Sequence, residues 1–212
     1  MVITSIEEYP KGKGRVAVYL NNEFAFVLYK GELKKYNLRE GIELSEDIYT
    51  AILDEVLNKR AIKRGMNLLQ SMDRTESDIR QKLGENGYPS ESINVAIDYL
   101  KSYKYIDDYR FAQEYYRFKC SSFSRRTIVN KLLAKGISTN IIESAINDYE
   151  EENSINSEEQ TCSLICKLIQ KKCHNNIGEI GYEEKQKLFA YLYNKGFSIS
   201  DIERAYSSLI RS

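Results

Sequence analysis

The feature that most constrains this chain of 212 residues is a pattern that occurs three times, each time around a glycine. Apolar residues lie eight and four positions before Gly87, Gly136 and Gly196, an Ile lies six positions after, and an Ala nine after. The matched residues are Ile79, Leu83, Ile93 and Ala96; Ile128, Leu132, Ile142 and Ala145; and Leu188, Leu192, Ile202 and Ala205. This register predicts a tandem repeat.

The residue types predict a pair of helices in each copy. Apolar residues four apart lie on one face of a helix, and the glycine ends that helix in a left-handed conformation. Ser138 and Ser198 are placed to cap the helix that follows, and Ser198 with Asp201 fits a capping box. Pro89 holds that place in the first copy, so we expect the cap there at Ser90.

A further helix precedes each pair, which makes the repeat a three-helix unit. Its apolar residues are Leu68, Leu69 and Met72 in the first copy, Phe111, Ala112 and Tyr115 in the second, and Leu164, Ile165 and Leu168 in the third. We therefore predict a mainly α fold with three tandem three-helix repeats, at residues 60–106, 107–150 and 151–212. Repeats that contact mainly their neighbours are expected to form an elongated, curved array.

The first 59 residues lack this pattern. A short apolar run at residues 2–6 precedes β-branched and aromatic runs at 15–20 and 24–28, with Asn21 and Asn22 between the last two. Asn tolerates positive φ, so these runs predict a hairpin within a small three-strand N-terminal cap, residues 1–44. Ser45 then begins a connecting helix, residues 45–59. Its predicted buried face comprises Ile48, Ile52, Val56 and Leu57.

The composition is that of a soluble folded protein, with 42% hydrophobic and 29% charged residues. No stretch is apolar enough to span a membrane, and residues 1–14 lack the pattern of a signal peptide. The four cysteines are unevenly spaced within helical segments, which suits reduced thiols. We therefore expect a cytoplasmic protein with no membrane partner.

Charge is concentrated in the middle of the chain. Residues 59–135 contain 16 Lys and Arg against 9 Asp and Glu, although the whole chain has no net charge. Such a block indicates a polyanion or an acidic protein surface as partner, or else a solvated helical surface that happens to be basic. The candidate contact residues are Arg60, Lys63, Arg64, Arg74, Arg80, Arg110, Arg117, Arg125, Arg126 and Lys131.

Few residues are arranged for catalysis or metal binding. Cys162 and Cys166 are four apart, which is not the spacing of a zinc finger or ribbon. Cys173 and His174 are adjacent, whereas catalytic Cys and His partners are usually distant in sequence. Asp107, before a helix, is expected to act as its N-cap. We expect no enzyme activity, no cofactor and no metal.

Six of the seventeen tyrosines cluster around the junction of the first two predicted repeats. Such rings stack on unpaired bases in some proteins, and in others they pack the seam between repeats with their hydroxyls at the surface. We expect packing for most of them. They are Tyr99, Tyr103, Tyr105, Tyr109, Tyr115 and Tyr116.

Residues 105–112 read YIDDYRFA and resemble the YIDDxRFA signature of the RecX family, bacterial regulators of the RecA recombinase. The matching residues are Tyr105, Ile106, Asp107, Asp108, Arg110, Phe111 and Ala112. Residues 125–137 are similar to the second-repeat pattern of that family, and residues 71–83 to the start of its first repeat, where Thr75 and Asp78 fit a capping box. One departure lies before Arg125, where Phe123 and Ser124 stand in place of an expected glycine.

The resemblance implies a non-catalytic protein of three tandem three-helix repeats. It implies binding in the helical groove of RecA filaments on single-stranded DNA, with restraint of ATP hydrolysis and strand exchange. We expect a monomer that contacts single- or double-stranded DNA only weakly. The alternative is a transcription regulator that reads duplex DNA through a helix-turn-helix, which predicts a preferred sequence and a steep salt dependence.

Overall fold

The computed structural model describes residues 1–154, 156–173 and 180–211, apart from the side chains of Ser157 and Arg211. The chain divides into two compact units, Met1–Asp107 and Asp108–Ser212. The first unit contains an N-terminal sheet and one three-helix repeat, and the second contains two further repeats. Within the described parts of the chain, no helix has both the length and the apolar character needed to cross a bilayer.

The N-terminal sheet consists of three antiparallel strands, β1 (Ile3–Glu8), β2 (Arg15–Leu20) and β3 (Glu23–Tyr29), in that order. Asn21 and Asn22 join β2 to β3 with φ of 50° and 70°. Two left-handed residues match the twist of paired strands, and Leu20 pairs with Glu23 across the turn. The predicted hairpin is therefore confirmed.

One face of the sheet packs on the segment that follows it. After the short helix α1 (Lys30–Lys35), helix α2 (Glu46–Ile52) begins beyond Ser45, whose hydroxyl accepts a hydrogen bond from the Ile48 amide at 3.4 Å. A π-helical turn, Leu53–Leu57, then leads into α3 (Asn58–Leu69). The buried core comprises Ile3, Val18, Leu20, Phe26, Leu28, Leu38, Leu44, Ile52 and Leu57.

The π-helical turn changes which residues share a face. A wider turn advances more residues per revolution than an α-turn, which affects the register of Val56 and Leu57; Ile48 and Ile52 both precede it and keep their α-helical spacing. Ile52 and Leu57 are fully buried, whereas Ile48 remains 38% exposed. The prediction that Ile48 belongs to the same buried face is therefore wrong.

The first repeat is formed by α3, α4 (Glu76–Gly84) and α5 (Ser90–Ser102). Thr75 caps α4, because its buried hydroxyl accepts the Asp78 amide at 3.2 Å. Pro89 occupies the N-cap position of α5 without a side-chain bond, so the prediction of a cap at Ser90 is wrong. The core contains Ala61, Ile79, Leu83, Tyr88, Ala96, Ile97, Leu100 and Ile106.

Two apolar residues of this repeat are less buried than the pattern predicts. Met72 lies beyond the end of α3 and is 58% exposed. Ile93 is only half-buried at the edge of the core, and the adjacent Ser92 is fully buried instead. The Ser92 hydroxyl donates to the Asn58 side-chain oxygen at 2.7 Å, which satisfies a polar group in an otherwise apolar contact.

The second repeat is formed by α6 (Asp108–Lys119), α7 (Arg125–Leu133) and α8 (Thr139–Glu152). Ser124 caps α7, with its hydroxyl accepting the Thr127 amide at 3.2 Å, and its φ of −64° does not require a glycine. Ser138 is at the N-cap of α8 but makes no capping bond with its side chain, unlike our prediction. The core contains Ala112, Tyr116, Ile128, Leu132, Ile137, Ile142, Ala145 and Ile146.

The third repeat is formed by α9 (Ser157–Cys173), α10 (Tyr182–Asn194) and α11 (Ile199–Arg211). The Asp201 amide donates to the Ser198 hydroxyl at 3.1 Å, as the capping pattern predicts. The core contains Leu164, Ile165, Ile169, Leu188, Leu192, Phe197, Ile202, Ala205 and Tyr206. The predicted fold class, three three-helix repeats after a small N-terminal sheet, is confirmed.

The repeat glycines adopt the left-handed conformation, with φ of 83° at Gly87, 81° at Gly136 and 90° at Gly196. The Gly87 turn packs on the sheet, where its carbonyl accepts the Val27 amide at 3.1 Å. A Cβ at Gly87 would lie 2.2 Å from Val27 Cγ2, and one at Gly196 would lie 2.1 Å from Thr127 Oγ1. Both turns therefore require glycine for conformation and for space.

The burial of the repeat positions predicts the effect of a matched pair of substitutions on α8. Ile142→Ala is expected to lower the free energy of unfolding by about 2–5 kcal/mol, since it leaves a cavity in the second-repeat core. The neighbouring Ile141 is 36% exposed, so Ile141→Ala is the control and is expected to cost far less. Equal urea denaturation curves for the two variants would contradict the core assignment.

The glycine turns give a second prediction. Gly196→Ala is expected to cost at least about 1 kcal/mol, because a Cβ is strained at positive φ and collides with Thr127 and Ser124. Gly31 lies within α1 without a positive φ, and a Cβ added to it would meet no atom within 4 Å, so Gly31→Ala is the control and is expected not to destabilise the protein. Thermal unfolding followed by circular dichroism measures both. A Gly196→Ala protein as stable as the control would disprove the close approach.

Candidate interaction surface

Positive charge is concentrated on two helices. Helix α3 carries Lys59, Arg60, Lys63 and Arg64 and no acidic residue. Helix α7 carries Arg125, Arg126 and Lys131 and likewise no acidic residue. Most of the net positive charge of residues 59–135 therefore lies on one helix in each compact unit, α3 in the first and α7 in the second.

None of the helices that a helix-turn-helix would insert into DNA has a net positive charge. These are the second helices of the glycine-centred pairs, α5, α8 and α11. Helix α8 contains five Asp and Glu and no Lys or Arg, α5 contains two acidic residues and one basic residue, and α11 two of each. Acidic side chains repel DNA phosphates, which disfavours duplex reading by α8 most strongly, and neither α5 nor α11 offers a surplus of positive charge.

Arg60 is held within the first unit. Its guanidinium forms a partly buried ion pair with Glu32 on α1. It also lies over the ring of Tyr29, 4.7 Å from the ring centroid. These contacts join α3 to the end of the sheet, so Arg60 has a structural role whatever else it binds.

Arg74 and Arg80 are also paired within the first repeat. Arg74 lies 2.6 Å from Asp78, and Arg80 lies 2.7 Å from Glu76, which Lys101 approaches at 2.9 Å. Burial acts to raise the pKa of Glu76, but hydrogen bonds from Lys101 and Arg80 outweigh it and lower that pKa. These cations therefore neutralise neighbouring carboxylates.

Lys63 and Arg64 differ from these residues. Both are exposed on α3, and neither forms an ion pair or side-chain hydrogen bond with any other residue in the described ranges. A cation without an intramolecular partner loses no internal contact when it binds an external anion. Among the candidates of the first unit, these two are the most accessible.

Arg125 bridges α7 and α8 in the second unit. Its Nη2 donates to the Asn147 side-chain oxygen at 2.6 Å, and its buried Nε lies 3.7 Å from Glu150 Oε1. The Glu150 carboxylate also accepts the hydroxyl of Tyr116. Burial, and then this hydrogen bond, raise the pKa of Tyr116 above its ordinary value. Arg125 is thus part of the internal structure of the second repeat.

Aromatic rings engage several other cations of the second unit. Phe123 lies beneath both Lys131 and Lys195, whose Nζ atoms are 4.0 and 4.8 Å from the ring centroid. Arg117 pairs with Glu114 at 2.6 Å and lies over the Phe118 ring. Arg110 is exposed on α6.

Arg126 is next to Arg125 in sequence but differs from it in environment. It is exposed and has no ion pair or side-chain hydrogen bond to another described residue. It borders an open cleft of ≈ 190 Å³ between α7 and the turn that joins α10 to α11. We call this the α7–α10 cleft; its lining residues are Arg126, Thr127, Asn130, Tyr193, Gly196 and Phe197.

The predicted tyrosine cluster separates into packed and exposed rings. Tyr116 is buried in the second repeat, and the hydroxyl of the half-buried Tyr109 donates to Asp148 at 2.6 Å. Tyr103 and Tyr105 are 61% and 47% exposed, with their ring centroids 6.2 Å apart. Tyr109 and Tyr116 thus pack within the second repeat, which does not test the predicted seam between repeats, and the packing prediction is wrong for Tyr103 and Tyr105.

No metal site is found in the part of the chain that the structure describes, where no three or more His, Cys, Asp or Glu side chains are grouped as ligands. Cys162, Cys166 and Cys173 lie on α9 beside the third-repeat core. Burial raises the pKa of the Cys166 thiol, which favours its protonated form. His174 lies outside the described residues.

Four family models match the chain in sequence order. They are the Regulatory protein RecX N-terminal domain at residues 1–45, and the first, second and third three-helix domains of RecX at residues 61–100, 107–146 and 158–206. The regulatory protein RecX of Clostridium botulinum (strain Eklund 17B / Type B) is 30% identical over 95% of this chain and 92% of its own length. The chain belongs to the RecX family.

Other relatives agree with this assignment to the RecX family. The regulatory protein RecX of Caldanaerobacter subterraneus subsp. tengcongensis is 30% identical over 97% of this chain and 98% of its own length. A crystal structure of a regulatory protein RecX matches with a TM-score of 0.62 and 29% identity, over 97% of this chain and 98% of that one. The family predicted from the octapeptide at residues 105–112 is therefore confirmed.

Sequence reasoning did not identify Asn130 and Tyr193 as candidate site residues of this RecX family member. One signal for Tyr193 was present, because it stands three positions before Gly196, where the other two copies have Gly84 and Leu133. Tyr193 is 61% exposed, so its ring contributes little to the core. A large aromatic residue on a solvent-facing helix position is a feature of binding surfaces.

The different environments of the two adjacent arginines predict different effects on stability. Arg125→Ala is expected to lower the free energy of unfolding by about 1–2 kcal/mol, since it removes the bond to Asn147 and leaves Glu150 without its cation. Arg126→Ala is the matched control and is expected to change it by less than about 0.5 kcal/mol. Urea denaturation measures both; equal effects would show that Arg125 does not bridge α7 and α8.

Proposed function

We propose that this protein is a non-catalytic, cytoplasmic regulator of the RecA recombinase. It binds the RecA filament on single-stranded DNA and reduces ATP hydrolysis and strand exchange. Membership of a family of regulatory proteins supports the general role. The contact residues are inferred from one observation. Lys63, Arg64 and Arg126 are exposed and have no ion pair or side-chain hydrogen bond to other residues in the described structure.

These three residues refine the broader set of candidates. Arg60, Arg74, Arg80 and Arg125 already neutralise or bridge internal acidic and amide groups. Binding an external carboxylate or phosphate through them would compete with these bonds. A guanidinium without an internal partner is free to form a bidentate pair, so Arg64 and Arg126 are the stronger contact residues.

In this proposal the regulator acts as a monomer. Its five parts are the N-terminal cap (1–44), the connecting helix (45–59) and repeats at 60–106, 107–150 and 151–212. Direct contact with single- or double-stranded DNA is weak and secondary to the RecA contact. The transcription-regulator alternative is less well supported, because α8 presents five acidic residues and no basic one where a recognition helix needs positive charge.

Charge reversal tests the contact surface. The triple variant Lys63→Glu, Arg64→Glu and Arg126→Glu is expected to raise the concentration needed to inhibit RecA by at least about tenfold, because it removes attractive contacts and adds repulsion. The readout is the rate of RecA ATP hydrolysis on single-stranded DNA, titrated with each protein. Circular dichroism reports folding, which exposed charges affect little.

The matched control makes the same change in net charge elsewhere. Lys167, Lys171 and Lys187 are exposed in the third repeat, outside the basic block, and are replaced together by Glu. This control is expected to inhibit RecA like the original protein. Identical titrations for all three proteins would exclude the proposed surface, and equal weakening in both variants would indicate a response to net charge alone.

A further inference from the structure

The α7–α10 cleft is built by contacts within the second unit. The Lys195 carbonyl accepts hydrogen bonds from Thr127 Oγ1 at 2.9 Å and from the Ser124 amide at 3.4 Å. These bonds hold the α10–α11 turn against the start of α7 and leave no space for a Cβ at Gly196. The two walls of the cleft are therefore held together by hydrogen bonds between elements, which favours precise recognition.

Three side chains around this cleft are available to a ligand. Arg126 and Asn130 are exposed, and neither side chain is hydrogen-bonded to another residue of the described ranges. Tyr193 is 61% exposed, and its ring stacks on no other ring and on no cation among the described residues. None of the described residues that line the cleft is acidic.

The combination of these groups is more specific than a positive patch. A guanidinium binds phosphate through paired N–H donors, an exposed aromatic ring stacks on a base, and an amide both donates to and accepts from a base edge. We propose that the α7–α10 cleft binds one nucleotide of single-stranded DNA. Arg126 contacts the phosphate, Tyr193 stacks on the base, and Asn130 bonds to the base edge.

An acidic peptide fits the cleft less well. A carboxylate side chain would pair with Arg126 but would leave the amide of Asn130 and the ring face of Tyr193 unused. The neighbouring ring of Phe123 is already occupied by Lys131 and Lys195, so it does not offer a comparable free face. Only a ligand with a charge, a π-face and a polar edge uses all three groups.

The nucleotide chemistry is inferred from the cleft alone, and the choice of single-stranded DNA rests on the proposed function at a RecA filament. The inference adds a direct DNA contact, made in a defined place, to the proposed protein contact. It is measurable without RecA, which separates its failure from a failure of the proposed function.

The test is fluorescence anisotropy of a labelled oligo-dT strand titrated with the protein at low salt, without RecA. Tyr193→Ala is expected to weaken binding about tenfold, or about 1.4 kcal/mol, whereas Tyr193→Phe keeps the ring and binds like the original protein. Tyr182, on the same helix and 76% exposed but outside the cleft, supplies the control Tyr182→Ala. Circular dichroism verifies the folding of each variant.

A salt titration tests the assignment of Arg126. Arg126→Gln is expected to reduce the slope of log K against log salt by about 0.7, the value for one phosphate contact on a single strand. Tyr193→Ala should leave that slope unchanged, since stacking releases no counterion.

Three outcomes would overturn the nucleotide proposal. They are no binding of oligo-dT by the original protein, equal binding by the Tyr193→Ala and Tyr182→Ala variants, and displacement of oligo-dT by poly-glutamate as effective as displacement by unlabelled oligo-dT. The last would instead identify an acidic protein surface as the ligand. Retained inhibition of RecA alongside any of these results would leave the proposed function standing.

Discussion

The docking of a left-handed glycine turn against the preceding module is the contact on which each compact unit depends. In the first unit the Gly87 carbonyl accepts the Val27 amide, and Tyr9 and Arg15 bind the carbonyls of Glu85 and Asn86. In the second unit the Lys195 carbonyl, next to Gly196, is bound by the hydroxyl of Thr127. Backbone carbonyls at a helix end need partners, and here those partners come from another module.

This docking explains why the small sheet belongs with the first repeat. Three strands bury little apolar surface alone, so they need a neighbour to be stable. The sheet packs one face on Ile52 and Leu57 and meets the Gly87 turn through β3. In the second unit the same kind of turn forms one side of the α7–α10 cleft, so a feature that stabilises the fold also shapes a candidate binding site.

Much of the fold could be predicted from the sequence because it follows from local periodicity. The three glycines, the apolar positions eight and four before them, and the Asn21–Asn22 turn are each determined by residues near in sequence. The errors came where a neighbour in space decided the outcome. Ile48, near the start of α2, is left exposed although Ile52 on the same helix is buried, and Ser92 is buried more deeply than Ile93, with its hydroxyl bonded to Asn58.

By itself the sequence determined the helical repeats, the hairpin, the family and the concentration of positive charge on residues 59–135. It did not determine which of those charges are available. Arg125 and Arg126 are adjacent and chemically identical, yet one is bound to Asn147 and beside Glu150 while the other borders an open cleft. Tertiary structure decides this because hydrogen bonds and ion pairs depend on distance in space, and Arg125 meets Asn147, 22 positions away in sequence, only after α7 and α8 have packed.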